Sequence, residues 1–189
     1  MAIQEAAYKI VEKDGCFELR DYTAHILAEI MIDAPFEKAG NKAFHPLFEY
    51  ISGANQSKNA LEMTAPVSQQ VVSQQIEMTA PVSQQRKEGK WAISFMMPAS
   101  YTLQTLPVPT NGKIQLRQVP ARRIAAITYS GFWSEKNYHR HKTTLESWIT
   151  QHSWRVTGES VWARYNSPFT FLFFRRNEVL IPVDAAVLS

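Results

Sequence analysis

Two methionines in matching surroundings are the first residues of this sequence whose chemistry and spacing suggest a role. Met63 lies in the segment Glu62–Gln70, and Met78 lies in an identical nine-residue segment, Glu77–Gln85. Methionine is a soft and adaptable side chain that can ligate a transition metal. The repeated segment is therefore either part of a binding surface or a duplicated loop without chemistry, which protein surfaces tolerate well. The spacing alone leaves both interpretations open.

Two further single residues and one pair could carry metal or acid–base chemistry. His45 lies on a predicted helix near Phe48 and is a candidate iron ligand, although a solvated role is commoner for such a histidine. Cys16, the single cysteine, could act as a thiolate, but the sequence identifies no partner base. Glu18 and Arg20 project from the same face of a predicted strand, where a structural ion pair with opposing residues is more common than proton transfer. The sequence therefore does not predict an enzyme.

Composition places the chain among globular proteins that do not bind nucleic acid. Hydrophobic residues make up 45% and aromatic residues 12% of the 189 residues, which is typical of a chain with a packed core. The formal charge is only +3, and the basic residues are scattered rather than gathered into a stripe. The N-terminus lacks the apolar run of a signal peptide, and no segment is long and apolar enough to span a membrane. We therefore expect a cytoplasmic protein.

Hydrophobic periodicity predicts a sheet-rich protein with two helices. The first helix is predicted from Pro35 to Tyr50, with Asp33 as its N-cap, and the second helix is capped by Ser134. Alternating or continuous apolar runs predict strands at residues 8–11, 16–22, 25–32, 91–97, 160–165 and 169–182, the last with a break near residues 175–177. Within residues 171–174, alternation places Phe171 and Phe173 on one face and Leu172 and Phe174 on the other, and at least one of these pairs is expected to pack into the core.

The second half of the chain faintly repeats the first. Leu116-Arg117 matches Leu19-Arg20 at an offset of 97 residues, and the same offset places Ile124-Ala125 on Leu27-Ala28. Neither half-sheet could bury its apolar face alone, so the halves are expected to pack together. We therefore predict a single domain over residues 1–189, built from half-repeats at about 8–105 and 113–183.

Five groups of residues follow one another along most of the chain. They are Phe17–Tyr22, the two Met-Thr-Ala-Pro-Val segments, Phe95–Pro98 with Leu106-Pro107, Tyr165–Pro168 and Arg175–Val179. Together they resemble the SOUL heme-binding protein family. The resemblance implies an α+β fold: a pseudo-twofold, distorted antiparallel β-barrel of about eight strands, flanked by two α-helices. Closure of the barrel would leave no long open edge.

The resemblance also implies a non-enzymatic protein that binds heme or a related tetrapyrrole in an apolar groove. The groove lies beside the first helix and the loop before the last strand, which implies six residues: Phe44, Leu47, Phe48, Phe171, Phe173 and Phe174. Helical geometry separately puts Phe44 and Phe48 on the flank of the buried helix face. A flat macrocycle fits an apolar slot with cations near its rim. The candidate cations are Lys38, Lys42, Arg175 and Arg176.

The iron ligand and the role of the protein stay open at this point. His45, Met63 and Met78 are the candidate metal ligands, and a carrier, a buffer and a sensor are all compatible with the resemblance. Some vertebrate family members carry a proposed axial histidine at the position of Asp21. Its replacement favours an alternative, a small-molecule effector-binding module without heme. A hydrolase acting in the same cleft through a buried carboxylate is a further alternative.

Overall fold

The computed structural model describes residues 3–57, 73–167 and 169–184. Two α-helices occur in this part of the chain, α1 (Phe36–Ile51) and α2 (Glu135–Gln151). The strands are β1 (Gln4–Glu5), β2 (Tyr8–Asp14), β3 (Phe17–Tyr22), β4 (His25–Ile32), β5 (Asn55–Gln56), β6 (Thr79–Ala80), β7 (Val82–Lys87), β8 (Lys90–Met96), β9 (Val108–Pro109), β10 (Ile114–Val119), β11 (Arg122–Tyr129), β12 (Arg155–Val156), β13 (Val161–Arg164) and β14 (Asn177–Asp184).

The main sheet is antiparallel and has a symmetric strand order. Its strands run β10-β4-β8-β7-β13-β14-β11-β3-β2, and β12 pairs with the end of β14. Apart from β2, the order reads the same from both ends once β10 is matched with β3, β4 with β11, β8 with β14, and β7 with β13. The register follows the same symmetry, because Ile114 lies opposite Ile30 and Phe17 lies opposite Ile127. The 97-residue offset relates these two pairs, because it places Phe17 on Ile114 and Ile30 on Ile127.

The predicted fold class is confirmed, but the expected closure of the barrel is wrong. β10 and β2 lie at the two ends of the sheet and do not pair with each other in the described chain. β2 is an additional strand, and its residues are mostly exposed and largely charged. Charged side chains protect an open edge from pairing with another chain. The half-repeat boundaries at about 8–105 and 113–183 stay a prediction.

Both helices pack on one face of the sheet. In α1 the buried face contains Phe36, Ala39, Ala43, Leu47 and Tyr50, as the helical period predicts. This face belongs to the larger hydrophobic core, together with residues of α2 and of the sheet. A smaller core on the opposite face of the sheet contains residues of β3, β11, β13 and β14.

The two helix starts differ in how they are capped. Ser134 caps α2 as predicted, because its hydroxyl accepts a hydrogen bond from the Asn137 amide at 3.2 Å. The prediction of Asp33 as the cap of α1 is wrong. That helix begins after Pro35, which supplies a fixed φ of −56° and no side-chain hydrogen bond.

The predicted strand over residues 169–182 is only partly present. β14 begins at Asn177, and Leu172–Phe174 forms a short 3-10 helix. Two local hydrogen bonds fold this segment back on itself. The Phe174 amide donates to the Phe171 carbonyl at 2.9 Å, and Nε of Arg175 donates to the Thr170 carbonyl at 2.8 Å. Apolar composition suggested a strand here, but these local contacts produce a compact turn.

A fully buried carboxylate on β14 joins several strands on the helix-free face of the sheet. Glu178 has no exposed surface and receives two hydrogen bonds from Arg20, each at 2.9 Å. The side chains of Tyr165, Thr128 and Arg176 donate to the same carboxylate at 2.7, 3.1 and 3.1 Å. All its acceptor capacity is therefore used, which is what a buried ion requires.

We predict that this ion pair makes the stability of the fold sensitive to acid. Burial disfavours the ionised form of Glu178, but hydrogen bonds and charge from Arg20, followed by Arg176, outweigh it and lower its pKa. Its contribution is therefore complete above the ordinary glutamate pKa of 4.5 and declines as the pH falls through the lower folded-state pKa. Glu178→Gln should cost about 3 kcal/mol at neutral pH, because it leaves the buried guanidinium of Arg20 undercompensated.

Urea unfolding of the wild type and Glu178→Gln at neutral and acid pH measures both effects. Asp21→Asn is the matched control, because Asp21 pairs with Arg123 at 2.7 Å on the surface, where both side chains are well exposed. That pair should contribute less than about 1 kcal/mol. Equal stability losses in the two variants, or an unchanged acid dependence in Glu178→Gln, would show that the buried pair is not important.

Candidate functional site

Large exposed phenylalanines lie at three places on the surface of the described chain. Phe132, in the turn before α2, is 67% exposed. Phe44 and Phe48 on α1 are 39% and 44% exposed. Residues 169–174, which we call the aromatic loop, contain four more: Phe169, Phe171, Phe173 and Phe174, at 95%, 79%, 88% and 78% exposure. A protein surface rarely exposes so many aromatic rings together without a binding role.

The α1 phenylalanines form a stacked pair at the edge of the core. The ring centroids of Phe44 and Phe48 are 5.8 Å apart with nearly parallel planes, and Phe44 also meets Phe95 of β8 edge-on at 5.6 Å. Their orientation agrees with the flank position predicted from the helical period. Leu47 is different, because it is fully buried in the larger core. It supports the helix from beneath and offers no surface to a ligand.

The aromatic loop is held against the turn that precedes α2. The Gly131 amide donates to the Leu172 carbonyl at 3.0 Å. The guanidinium of Arg175 lies 4.5 Å from the ring centroid of Trp133, and the indole of Trp133 donates to Asn177 at 2.7 Å. These contacts fix the backbone of the loop while its phenylalanine rings project into solvent.

Arg164 connects α1 to this loop. Its guanidinium lies 4.7 Å from the ring centroid of Trp162 and 5.3 Å from that of Trp133. It also lies directly beside Gly40 of α1, where an added Cβ would overlap the guanidinium nitrogens. The row Gly40–Arg164–Trp133–Arg175 therefore joins the helix that carries Phe44 and Phe48 to the aromatic loop.

Arg164 is a buried cation without an anionic partner. It is only 8% exposed, and no hydrogen-bond acceptor for it occurs in the described chain. Burial lowers the pKa of Arg164 to about 10, which leaves the side chain charged at neutral pH. Stacking on tryptophan compensates part of the lost hydration. The unmet hydrogen-bonding capacity gives this position the chemistry to attract a carboxylate.

The candidate metal ligands are not brought together. His45 is exposed and lies 3.4 Å from Glu49 on the next turn of α1. Met78 is 41% exposed just before β6, and Met63 lies outside the described residues. Within those residues, no group of three or more histidine, cysteine or acidic side chains could hold a metal ion.

The buried carboxylates give no support to acid–base catalysis. A general acid in a cleft would need a raised carboxyl pKa. Burial acts in that direction on Glu18, Glu29 and Glu178, but basic neighbours outweigh it and lower the pKa of each carboxyl. The prediction of a structural ion pair with an opposing residue is confirmed for Glu18, which lies opposite Lys13 of β2 and contacts it at 2.9 Å. Glu18 also contacts Arg20 of its own strand at 2.7 Å.

Sequence reasoning missed Arg164, Gly40 and Trp133. One signal was available, since a glycine in the interior of a helix weakens the helix and usually has a packing reason. The identity of the group packed against Gly40 could not be read from the sequence, because Arg164 lies more than a hundred residues further along the chain.

Comparison with known proteins identifies the family. The sequence model of the SOUL heme-binding protein family matches residues 3–182. The chain therefore belongs to the SOUL heme-binding protein family, as the sequence motifs predicted. Heme-binding protein 1 of Xenopus tropicalis is 25% identical over 170 residues, covering 89% of this chain and 84% of that protein. Heme-binding protein 1 of Xenopus laevis is 25% identical over 138 residues, covering 72% and 68%.

Solved structures of more distant proteins share the fold. The crystal structure of the EcmrR C-terminal domain has a TM-score of 0.61 and 14% identity, covering 94% of this chain and 98% of that domain. A hydrolase from Listeria innocua has a TM-score of 0.57 and 10% identity, covering 92% and 94%. At these identities the likeness shows the fold alone. No helix among the described residues is long and apolar enough to cross a membrane.

We predict that Gly40→Ala destabilises the protein. The new methyl group would overlap the Arg164 guanidinium, and overpacking of this kind costs about 1–3 kcal/mol. The gain in helix propensity, about 1 kcal/mol, offsets only part of that cost. Urea unfolding should therefore show a net loss of about 1 kcal/mol.

Gly112→Ala is the matched control, because an added Cβ there meets nothing within 4 Å. It should leave the free energy of unfolding unchanged or slightly raised, since alanine restricts the unfolded chain. A Gly40→Ala variant as stable as Gly112→Ala would show that Arg164 does not occupy the space beside α1.

Proposed function

We propose that this protein binds heme or a related tetrapyrrole on the surface between α1 and the aromatic loop. The observation that carries the proposal is that Arg164, which is buried and has no acceptor among the described residues, lies between two exposed aromatic groups, one on α1 and one in the aromatic loop. Phe44 and Phe48 provide one apolar wall, and Phe171, Phe173 and Phe174 provide the other. Membership of a heme-binding family supports the same class of ligand.

The chemistry of these residues fits a tetrapyrrole with acidic side groups. A flat apolar macrocycle gains free energy by removing phenylalanine rings from water, at roughly 25 cal/mol per Å² of apolar area. Its propionates need cations at the edge of the apolar region. Among the described residues Arg164 has unmet hydrogen-bonding capacity at that edge, and Gly40, which has no side chain, leaves room for the guanidinium.

Apolar burial and the arginine would hold the ligand without an assigned iron ligand. Asp21, at the position of the proposed axial histidine of some family members, is committed to its ion pair with Arg123. When bound, heme would supply the redox-active iron and the colour of the complex. The residues of this chain supply the apolar surface and the anion contact, which suit a carrier, a buffer or a sensor.

We predict that hemin binds one-to-one and that the exposed phenylalanines determine its affinity. Phe44→Ala, Phe48→Ala and Phe173→Ala should each weaken binding about tenfold, because each removes roughly half the burial energy of a phenylalanine side chain. Titration followed by Soret absorbance measures the dissociation constants. Ile10→Ala is the control, because Ile10 on β2 is 44% exposed, like Phe48. Absence of saturable binding, or equal weakening by Ile10→Ala, would overturn the proposed site.

We predict that Arg164 recognises the propionates. The wild-type protein should bind protoporphyrin IX at least tenfold more tightly than its dimethyl ester, since a charge-assisted hydrogen bond contributes about 1.5–3 kcal/mol. Arg164→Gln should lose this preference while retaining the affinity for the ester. Arg164→Lys should show an intermediate preference for the free acid over the ester, because lysine keeps the charge without the planar arrangement of donors.

Tryptophan fluorescence and thermal unfolding of each Arg164 variant establish that the fold is retained. An equal preference for the free acid in wild type and Arg164→Gln would place the propionates elsewhere.

A tetrapyrrole-free effector site is the second candidate for the same surface. The observation that favours it is Asp21, whose ion pair offers no axial ligand. In that case porphyrins would bind no more tightly than other flat apolar anions, and iron would not affect the affinity. Parallel titration with hemin, metal-free protoporphyrin IX and a flat polycyclic carboxylate distinguishes the two candidates.

A further inference from the structure

A cavity of about 60 Å³ lies on the helix-free face of the sheet, away from the aromatic loop. Side chains alternate between the two faces of a strand. Tyr22, Ile124 and Leu180 of the smaller core line this cavity, whereas Phe44 and Phe48 project from a helix on the opposite face. The cavity is therefore separate from the proposed tetrapyrrole site.

Two arginines line the cavity with part of their hydrogen-bonding capacity unused. Arg117 donates through Nη2 to Glu29 at 2.8 Å, but its buried Nε has no acceptor. Arg122 has a buried Nε without an acceptor, and no salt bridge or hydrogen bond from its guanidinium occurs in the described residues. A guanidinium has five N–H donors, so each of the two arginines can donate hydrogen bonds to a further anionic partner.

The side chains around the two arginines of the cavity carry a net positive charge. The carboxylate of Glu29 is shared by Arg117 and by Lys87, which lies 3.1 Å from its other oxygen. One negative charge therefore faces three positive charges when Arg122 is included. Burial and then the charge of Arg117 lower the pKa of Arg122, as expected for two guanidinium groups without enough counter-charge between them.

The remaining walls indicate the kind of anion that fits. Leu27, Met96 and Ile124 provide apolar surface, and the hydroxyl-bearing residues Ser83 and Ser94 provide polar surface. One water molecule needs roughly 10–15 Å³ of such a cavity, so the space is sufficient for a ligand of a few carbon atoms. A carboxylate can receive two parallel hydrogen bonds from a guanidinium.

We propose that this cavity is a second binding site, which takes a small organic acid through its carboxylate, held by Arg122 and Arg117 against an apolar wall. The site does not depend on tetrapyrrole binding. The ligand replaces the missing counter-charge between the two arginines and occupies space that the side chains of the sheet leave open.

The test is titration calorimetry of the full chain with propionate at constant ionic strength. Propionamide, which has a similar shape without the charge, is the ligand control. Propionate should bind one-to-one and raise the melting temperature by about 3 °C at ten times its dissociation constant. Propionamide should give no saturable heat. Failure of propionate to bind, equal binding of propionamide, or tighter binding of inorganic phosphate would overturn the proposal.

The variants locate the binding. Arg122→Gln should weaken propionate binding at least tenfold, and Arg122→Lys should weaken it less. Arg155→Gln is the matched control, because Arg155 is an exposed arginine on β12 with Asp184 as its partner, and it should bind propionate like the wild type. Propionate binding that is unchanged in Arg122→Gln would overturn the assignment.

Hemin titration of Arg122→Gln separates this proposal from the proposed function. We expect its hemin affinity to equal that of the wild type, which also shows that the variant is folded. Loss of hemin binding together with propionate binding would contradict two separate sites. Wild-type protein that binds propionate but not hemin would support this site and overturn only the tetrapyrrole proposal.

Discussion

The packing around Trp162 is the interaction on which most of this structure depends. Trp162 lies opposite Gln84 in the β7–β13 pair, where the two symmetric halves of the sheet meet. Its ring stacks on Phe36 at the start of α1, at a centroid distance of 4.8 Å, and approaches Tyr138 of α2 at 6.2 Å. The same ring carries the guanidinium of Arg164. One side chain thus joins both helices, both halves of the sheet and the cation of the candidate site.

The two faces of the sheet differ in the kind of side chains that they bury. The helix-covered face is mostly apolar, and among its described residues the buried cation Arg164 is stabilised by the rings of Trp133 and Trp162. The other face contains charged side chains, among which Arg20 and Glu178 form a complete hydrogen-bonded pair. By the 97-residue offset, Arg117 is the counterpart of Arg20, but its carboxylate partner comes from Glu29 on β4. The cavity lies between the two halves of the sheet, because Leu27 and Arg117 line it from one half and Tyr22 and Leu180 line it from the other.

Exposure of the aromatic loop is consistent with the way its backbone is held. The Gly131 amide donates to the Leu172 carbonyl, and the Arg175 side chain contacts Trp133 and the Thr170 carbonyl, so the phenylalanine rings take no part in these contacts. Exposed phenylalanine rings in such number are typical of a surface that binds a ligand or a partner. The aromatic loop and Arg164, which has no acceptor among the described residues, are the basis of the proposed tetrapyrrole site.

The sequence by itself determined the helices, most strands, the internal repeat and the family, because periodicity and motifs are local properties of the chain. It correctly placed Phe44 and Phe48 on the flank of α1. It predicted that at least one pair of side chains within residues 171–174 packs into the core, and this prediction is wrong, because Phe171, Phe173 and Phe174 are exposed. Apolar composition is the same in a core segment and in an exposed binding surface, so it could not decide between them. Tertiary structure alone decided that outcome, the open edge of the sheet and the approach of Arg164 to Gly40. Each of these depends on contacts between residues far apart in sequence, which hydrophobic period and spacing do not report.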